Sequence, residues 1–108
     1  DSRLFDAALA SGARGIVLEA FGRGNATPQV VAAVQRATAN GVVTIVTSRC
    51  PQGRVLPIYD DGGGRDLEDA GAIFAGRLRG PKARIVLALV QASLKRKEIA
   101  ELFDLFGR

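Results

Sequence analysis

The polar residues best placed to do chemistry fall in two stretches and one isolated position. Gly22-Arg23-Gly24-Asn25 stands between an apolar run, Gly15 to Phe21, and the helix-start pair Thr27-Pro28. In an open α/β sheet, the turn that follows the carboxyl end of a strand is where ligands bind. A glycine such as Gly24 lets backbone approach a ligand closely, and Asn25 can both donate and accept hydrogen bonds. No third glycine and no Lys-Ser or Lys-Thr pair follows, so this is not a dinucleotide or P-loop signature, and a purely structural turn stays open as a reading. The second stretch is Tyr59-Asp60-Asp61, within a connection from Arg49 to Arg65 that carries Pro51, Gly53, Pro57 and Gly62-Gly63-Gly64. Long irregular connections in compact domains are often functional, although adjacent acids in a loop are also what a solvated surface shows. Cys50, just before Pro51, reads either as a small hydrophobe at a strand end or as a reactive thiol.

What is missing narrows the chemistry further. The sequence has no histidine and one cysteine. The common metal-ligand sets and the Ser-His or Cys-His nucleophile pairs therefore cannot be assembled from it. A self-contained hydrolase is not expected on this reading, nor is a metal or cofactor.

The elements that must position these residues follow from periodicity. Leu4, Phe5, Ala8 and Leu9 share one helical face, and Gly12 follows as a terminator. Gly15 to Phe21 reads as a buried strand. Thr27 can cap a helix that Pro28 opens, with Val30, Val31, Val34 and Ala37 on its apolar face and Asn40-Gly41 as its stop. Val42 to Thr47, rich in β-branched residues, reads as a parallel strand covered on both sides, which completes a right-handed βαβ unit. Asp66 to Gly71 suggests a short helical turn and Ala72 to Ala75 a short strand. Pro81 opens a helix whose Ile85, Val86, Leu89 and Val90 predict deep packing against the sheet. A last helix carries Ile99, Leu102, Phe103 and Phe106 at i, i+3, i+4 and i+7. The expected fold is a small three-layer α/β domain. Its short, mainly parallel sheet of 3–4 strands is flanked by about four helices in a flavodoxin/Rossmann-like arrangement. An opening helix that leads straight into a parallel strand normally follows an earlier strand, so a segment upstream of Asp1 is expected.

At 108 residues the chain has room for one domain, and 47% hydrophobic with 24% charged residues is the balance of a folded protein. The net charge of +4 raises the question of nucleic acid. Its basic residues are dispersed except for Lys95-Arg96-Lys97, and one Tyr without any Trp offers little for base stacking, so no nucleic-acid partner is expected. The longest uncharged apolar run, Ile85 to Ala92, is too short for a span, and no membrane partner is expected. The first residues show no export leader, and a single cysteine favours a reducing compartment, so a cytoplasmic location is expected.

Taken in order, Gly12 to Glu19, Gly22 to Asn25 with Pro28, Val46 to Val55, Ala70 to Gly76 and Pro81 to Arg84 resemble the carboxy-terminal domain of bacterial-type L-asparaginases, amidohydrolases of the asparaginase/glutaminase family. The resemblance covers nearly the whole chain. It implies that residues 1–108 form that domain without the larger amino-terminal catalytic domain, whose Gly-Gly-Thr and Gly-Thr-Asp-Thr motifs supply the nucleophile and do not occur here. It implies a homo-oligomer in which this domain completes a partner subunit's pocket for L-asparagine. Asn25, with Gly24 beside it, would order the network around the substrate's α-amino group, and Asp60, with Tyr59, would supply the substrate-side carboxylate loop. Cys50 resembles a cysteine near a regulatory asparagine site in some cytoplasmic members. The sequence departs from the family at Arg23, where many members have Asn, and at Tyr59-Asp60, where many have Glu. Two other readings are a free-standing amino-acid sensor and a purely structural dimerisation domain.

Overall fold

The computed structural model describes residues 2–20, 26–48 and 64–108. Five helices and three strands follow one another: α1 (Arg3–Ala10), β1 (Gly15–Ala20), α2 (Pro28–Ala39), β2 (Val43–Ser48), α3 (Gly64–Asp69), β3 (Ile73–Phe74), α4 (Gly80–Val90) and α5 (Arg96–Phe106). All pairings are parallel, in the order β1-β2-β3, with Gly15 opposite Val43 and Ile45 opposite Ile73. The three-layer α/β architecture predicted from periodicity is therefore correct, with α3 as a helix beyond the expected four.

Local chemistry explains the boundaries. The Val30 amide donates to Thr27 Oγ1 at 3.3 Å, so Thr27 caps α2 and Pro28 sits in its first turn. β2 is central, covered on both faces and buried from Thr44 to Ser48, as its β-branched composition requires. On one face, Phe5 of α1, Val34 of α2 and Leu67 of α3 close over Val46. On the other, Leu87 of α4 with Ile99 and Phe103 of α5 close over Ile45 and Ile73.

Two junctions bind the helices to each other. The Arg36 guanidinium donates to Asp6 Oδ1 at 2.7 Å, linking α2 to α1. Thr38 Oγ1 of α2 lies 2.8 Å from the Ala70 carbonyl oxygen and 2.9 Å from that of Val34. The next residue, Gly71, has φ +106°, and a Cβ there would fall 2.5 Å from Thr38 Oγ1. Only glycine satisfies both the backbone and the contact.

The expected deep packing of α4 is not what forms. Gly80, Ala83 and Leu87 are its buried stripe, whereas Ile85 and Leu89 are 61% and 75% exposed. A helix lying on a sheet turns one stripe inward, and apolar side chains elsewhere on its circumference stay outside whatever their type. α5 behaves similarly: Ile99 and Phe103 are buried, but Phe106 is 54% exposed.

Candidate functional site

In a parallel sheet all carboxyl ends lie at one edge, and the register makes this concrete: Ala20, ending β1, is the partner of Ser48, ending β2. Both are buried. Thr27, at the amino end of α2, resumes the chain after β1, and Gly64, opening α3, resumes it after β2. The turn that contains Gly24 and Asn25 and the connection that contains Cys50, Tyr59 and Asp60 thus depart from neighbouring strands at the same edge. These five residues themselves lie outside the described residues.

Glu19 stands one residue before the end of β1, and sequence patterning alone passes over it as part of an apolar strand. It is exposed, and its carboxylate packs against Gly80, the first residue of α4, where an added Cβ would collide with it. α4 has no acidic residue in its first turn and no side-chain cap from Arg79. Glu19 therefore brings the negative charge that a helix amino terminus favours, and ties the end of β1 to α4. The available signal was a lone charge near the carboxyl end of an apolar run.

Other polar groups serve the frame. Hydrogen bonds from Arg36 and then from Ser2 hold the Asp6 carboxyl below its ordinary value of 3.8, at the α1–α2 junction. Thr47 Oγ1 donates to the Leu18 carbonyl at 3.5 Å, and Thr44 Oγ1 is buried with no hydrogen-bond partner among the described residues. The described residues hold no group of three or more His, Cys, Asp or Glu able to bind a metal, and none of their helices is long and apolar enough to cross a membrane. A groove of about 930 Å³ is lined by Arg14, Gly41, Val43 and Lys95 at the amino ends of the strands, opposite the edge where ligands bind in such sheets. The second, about 620 Å³, runs along β1 between α1 and α4.

Comparison with known proteins places this geometry in a family context. Residues 1–103 match the family described as "Glutaminase/Asparaginase C-terminal domain". An L-asparaginase of Bacillus licheniformis is 36% identical over 96 residues, covering 88% of this chain and 30% of that protein. A glutamyl-tRNA(Gln) amidotransferase subunit of Aeropyrum pernix is 33% identical over 99 residues, covering 91% of this chain and 23% of its own length. The crystal structure of L-asparaginase I from Vibrio cholerae superposes with a TM-score of 0.78 at 24% identity, covering 95% of this chain and 32% of that one, which is a likeness of fold. The chain thus spans less than a third of each of these proteins.

Proposed function

Because this chain belongs to the glutaminase/asparaginase C-terminal domain family, we propose that it is the carboxy-terminal unit of an amidohydrolase that converts L-asparagine and water to aspartate and ammonia. In this reading the nucleophile lies in an amino-terminal catalytic domain, and the present unit lends pocket residues and contacts between subunits of a homo-oligomer.

The observation that supports it most is the common origin of the two candidate segments at the carboxyl edge, where Ala20 and Ser48 are register partners. One pocket then takes contributions from both. Asn25, with Gly24 allowing close approach, orders the groups around the substrate's ammonium. Asp60 would supply the charge for that ammonium, with Tyr59 next to it in sequence as a further candidate substrate-binding residue. A zwitterionic substrate needs such a carboxylate, because a charge-assisted hydrogen bond is about twice as strong as a neutral one. Placing it on a separate domain lets assembly of the complete site select the substrate. Cys50 would stand beside a regulatory site, and the location is cytoplasmic.

The test uses the full-length enzyme. Asn25→Ala is expected to raise KM for asparagine and lower kcat, and unchanged kinetics would remove Asn25 from the site. Ammonia released by residues 1–108 alone would end the proposal that the nucleophile lies elsewhere. The likeness to an amidotransferase component favours a second reading, in which the amide nitrogen passes to an acceptor. Ammonia accumulating one for one with aspartate supports hydrolysis, whereas nitrogen retained on an acceptor supports transfer. Calorimetric binding of asparagine to residues 1–108 alone would favour the sensor reading.

A further inference from the structure

β1 needs no charged residue to form, yet it carries one near the edge where ligands bind. Strand pairing already holds this end of β1, with Glu19 opposite Thr47 and Ala20 opposite Ser48. Side chains alternate between the faces of a strand. Leu18 and Ala20 join the core beneath α1 and α2, whereas Val17 joins the one beneath α4 and α5, and Glu19 shares the face of Val17. Its carboxylate thereby reaches Gly80, the first residue of α4. α4 begins after the chain has left β3, so this helix end stands at the carboxyl edge, beside the point where the chain departs toward Asn25.

Position 80 is shaped for that carboxylate. Gly80 is not among the glycines with positive φ, so its backbone alone does not demand glycine. The three atoms nearest to a Cβ added there all belong to the Glu19 side chain: Oε1, then Cδ at 3.1 Å and Cγ at 3.4 Å. The missing side chain at position 80 is what admits Glu19. Asn25 stands six positions beyond Glu19, and the intervening sequence contains Gly22 and Gly24, the residue type that restricts the backbone least. Residue types in that stretch do not dictate where Asn25 stands, so its placement depends on the two ends. One end is fixed by the Thr27 cap and Pro28 at the start of α2. The other is the end of β1, where the Glu19 contact adds a tie to α4 beyond the pairing with β2.

We propose that Glu19 is a positioning residue for the amide reaction: held against Gly80 at the amino end of α4, it sets how the chain leaves β1 and through this the placement of Asn25. The role rests on the proposed function, in which Asn25 orders the groups around the substrate's ammonium. Glu19 itself touches no substrate. Its charge is engaged by a helix amino end, which favours an anion, and Asp60 remains the carboxylate for the ammonium.

Steady-state kinetics of the full-length enzyme carrying Glu19→Gln, Gly80→Ala, both, or Asn25→Ala test the proposal, with urea midpoints measured alongside. Glu19→Gln keeps the shape of the side chain and removes its charge. Gly80→Ala keeps the charge and pushes the carboxylate, the free tip of an exposed side chain, away from α4. The two variants act oppositely on the helix, because losing the charge weakens its amino end whereas alanine is a better helix former than glycine. Both should nevertheless raise KM for asparagine by about three- to tenfold with kcat within about twofold, short of the hundredfold that a misplacement of about 1 Å can cost. The double variant should be no worse than the poorer single one, since both break one contact. A KM that follows the urea midpoint, rising in one variant only, assigns Glu19 a structural role and overturns the proposal. Unchanged KM in both variants, or effects that multiply in the double variant, overturn it too. Asn25→Ala separates this failure from that of the proposed function. If it raises KM while the other two do not, only the positioning role falls; if it leaves the kinetics unchanged, Asn25 leaves the site and both fall.

Discussion

Replacing Gly71 by alanine should cost far more than its surface position suggests, and the cost can be divided. At φ +106° an alanine is outside the regions open to L-residues, a strain of about 1–3 kcal/mol. The added Cβ would also lie 2.5 Å from Thr38 Oγ1 and 2.6 Å from Thr38 Cγ2. These atoms are close to the helix axis and cannot swing away as the tip of a long side chain can. Relief requires α2 and the α3–β3 turn to part, which forfeits the Thr38 to Ala70 hydrogen bond, about 1 kcal/mol. The total is about 2–4 kcal/mol. Native-state hydrogen exchange at Ile45 and Val46 should therefore quicken by about two orders of magnitude, since each 1.4 kcal/mol is about tenfold. Thr38→Ala removes the two closest clashing atoms and leaves only its own Cβ at 3.0 Å, so it should cost about 1 kcal/mol alone and bring the further cost of Gly71→Ala down toward the backbone strain. If Gly71→Ala costs the same with Thr38 present or absent, the steric part of this reasoning is wrong.

Three further outcomes are expected. Phe103→Ala empties a fully buried site between α5 and the sheet and should cost about 3–5 kcal/mol, read as a fall in the urea midpoint with earlier exchange of α5 amides. The Asp6 carboxyl titrates lower in the folded than in the unfolded chain, so its contribution is present above the unfolded value near 4 and is lost as pH falls through the folded value. Arg36→Ala should raise the Asp6 value toward the ordinary range in a carboxyl NMR titration, with the Ser2 hydrogen bond still lowering it, and flatten that part of the acid stability profile. Glu19→Gln removes the negative charge at the amino end of α4 and should weaken that helix end by about 0.3–1 kcal/mol, an effect that disappears in 1 M salt if it is electrostatic.

Much of the architecture could be read from residue order, because the decisive signals are local. Thr27-Pro28 and Asn40-Gly41 bracket α2 with chemistry that acts within one turn, and the β-branched run of β2 can be satisfied only by a strand covered on both sides. The short elements were also found in place, α3 at Gly64–Asp69 and β3 at Ile73–Phe74. Composition misled at α4, where Ile85 and Leu89 have the residue type of a core and stand outside it. Which stripe of a helix faces the sheet depends on where the sheet ends, and among the described residues β1 pairs only with β2. Glu19 was missed for a related reason: its partner, Gly80, is far away in sequence and has no side chain to announce the contact.

The same topology joins the two halves of the functional reading. Because the crossovers through α2 and α3 advance in one direction, β1 and β2 are neighbours, and the chain must leave both at one edge. Asn25 and Asp60 are separated by more than thirty positions, yet each belongs to a segment bounded by residues of that edge, so a shared pocket requires no further rearrangement of the sheet.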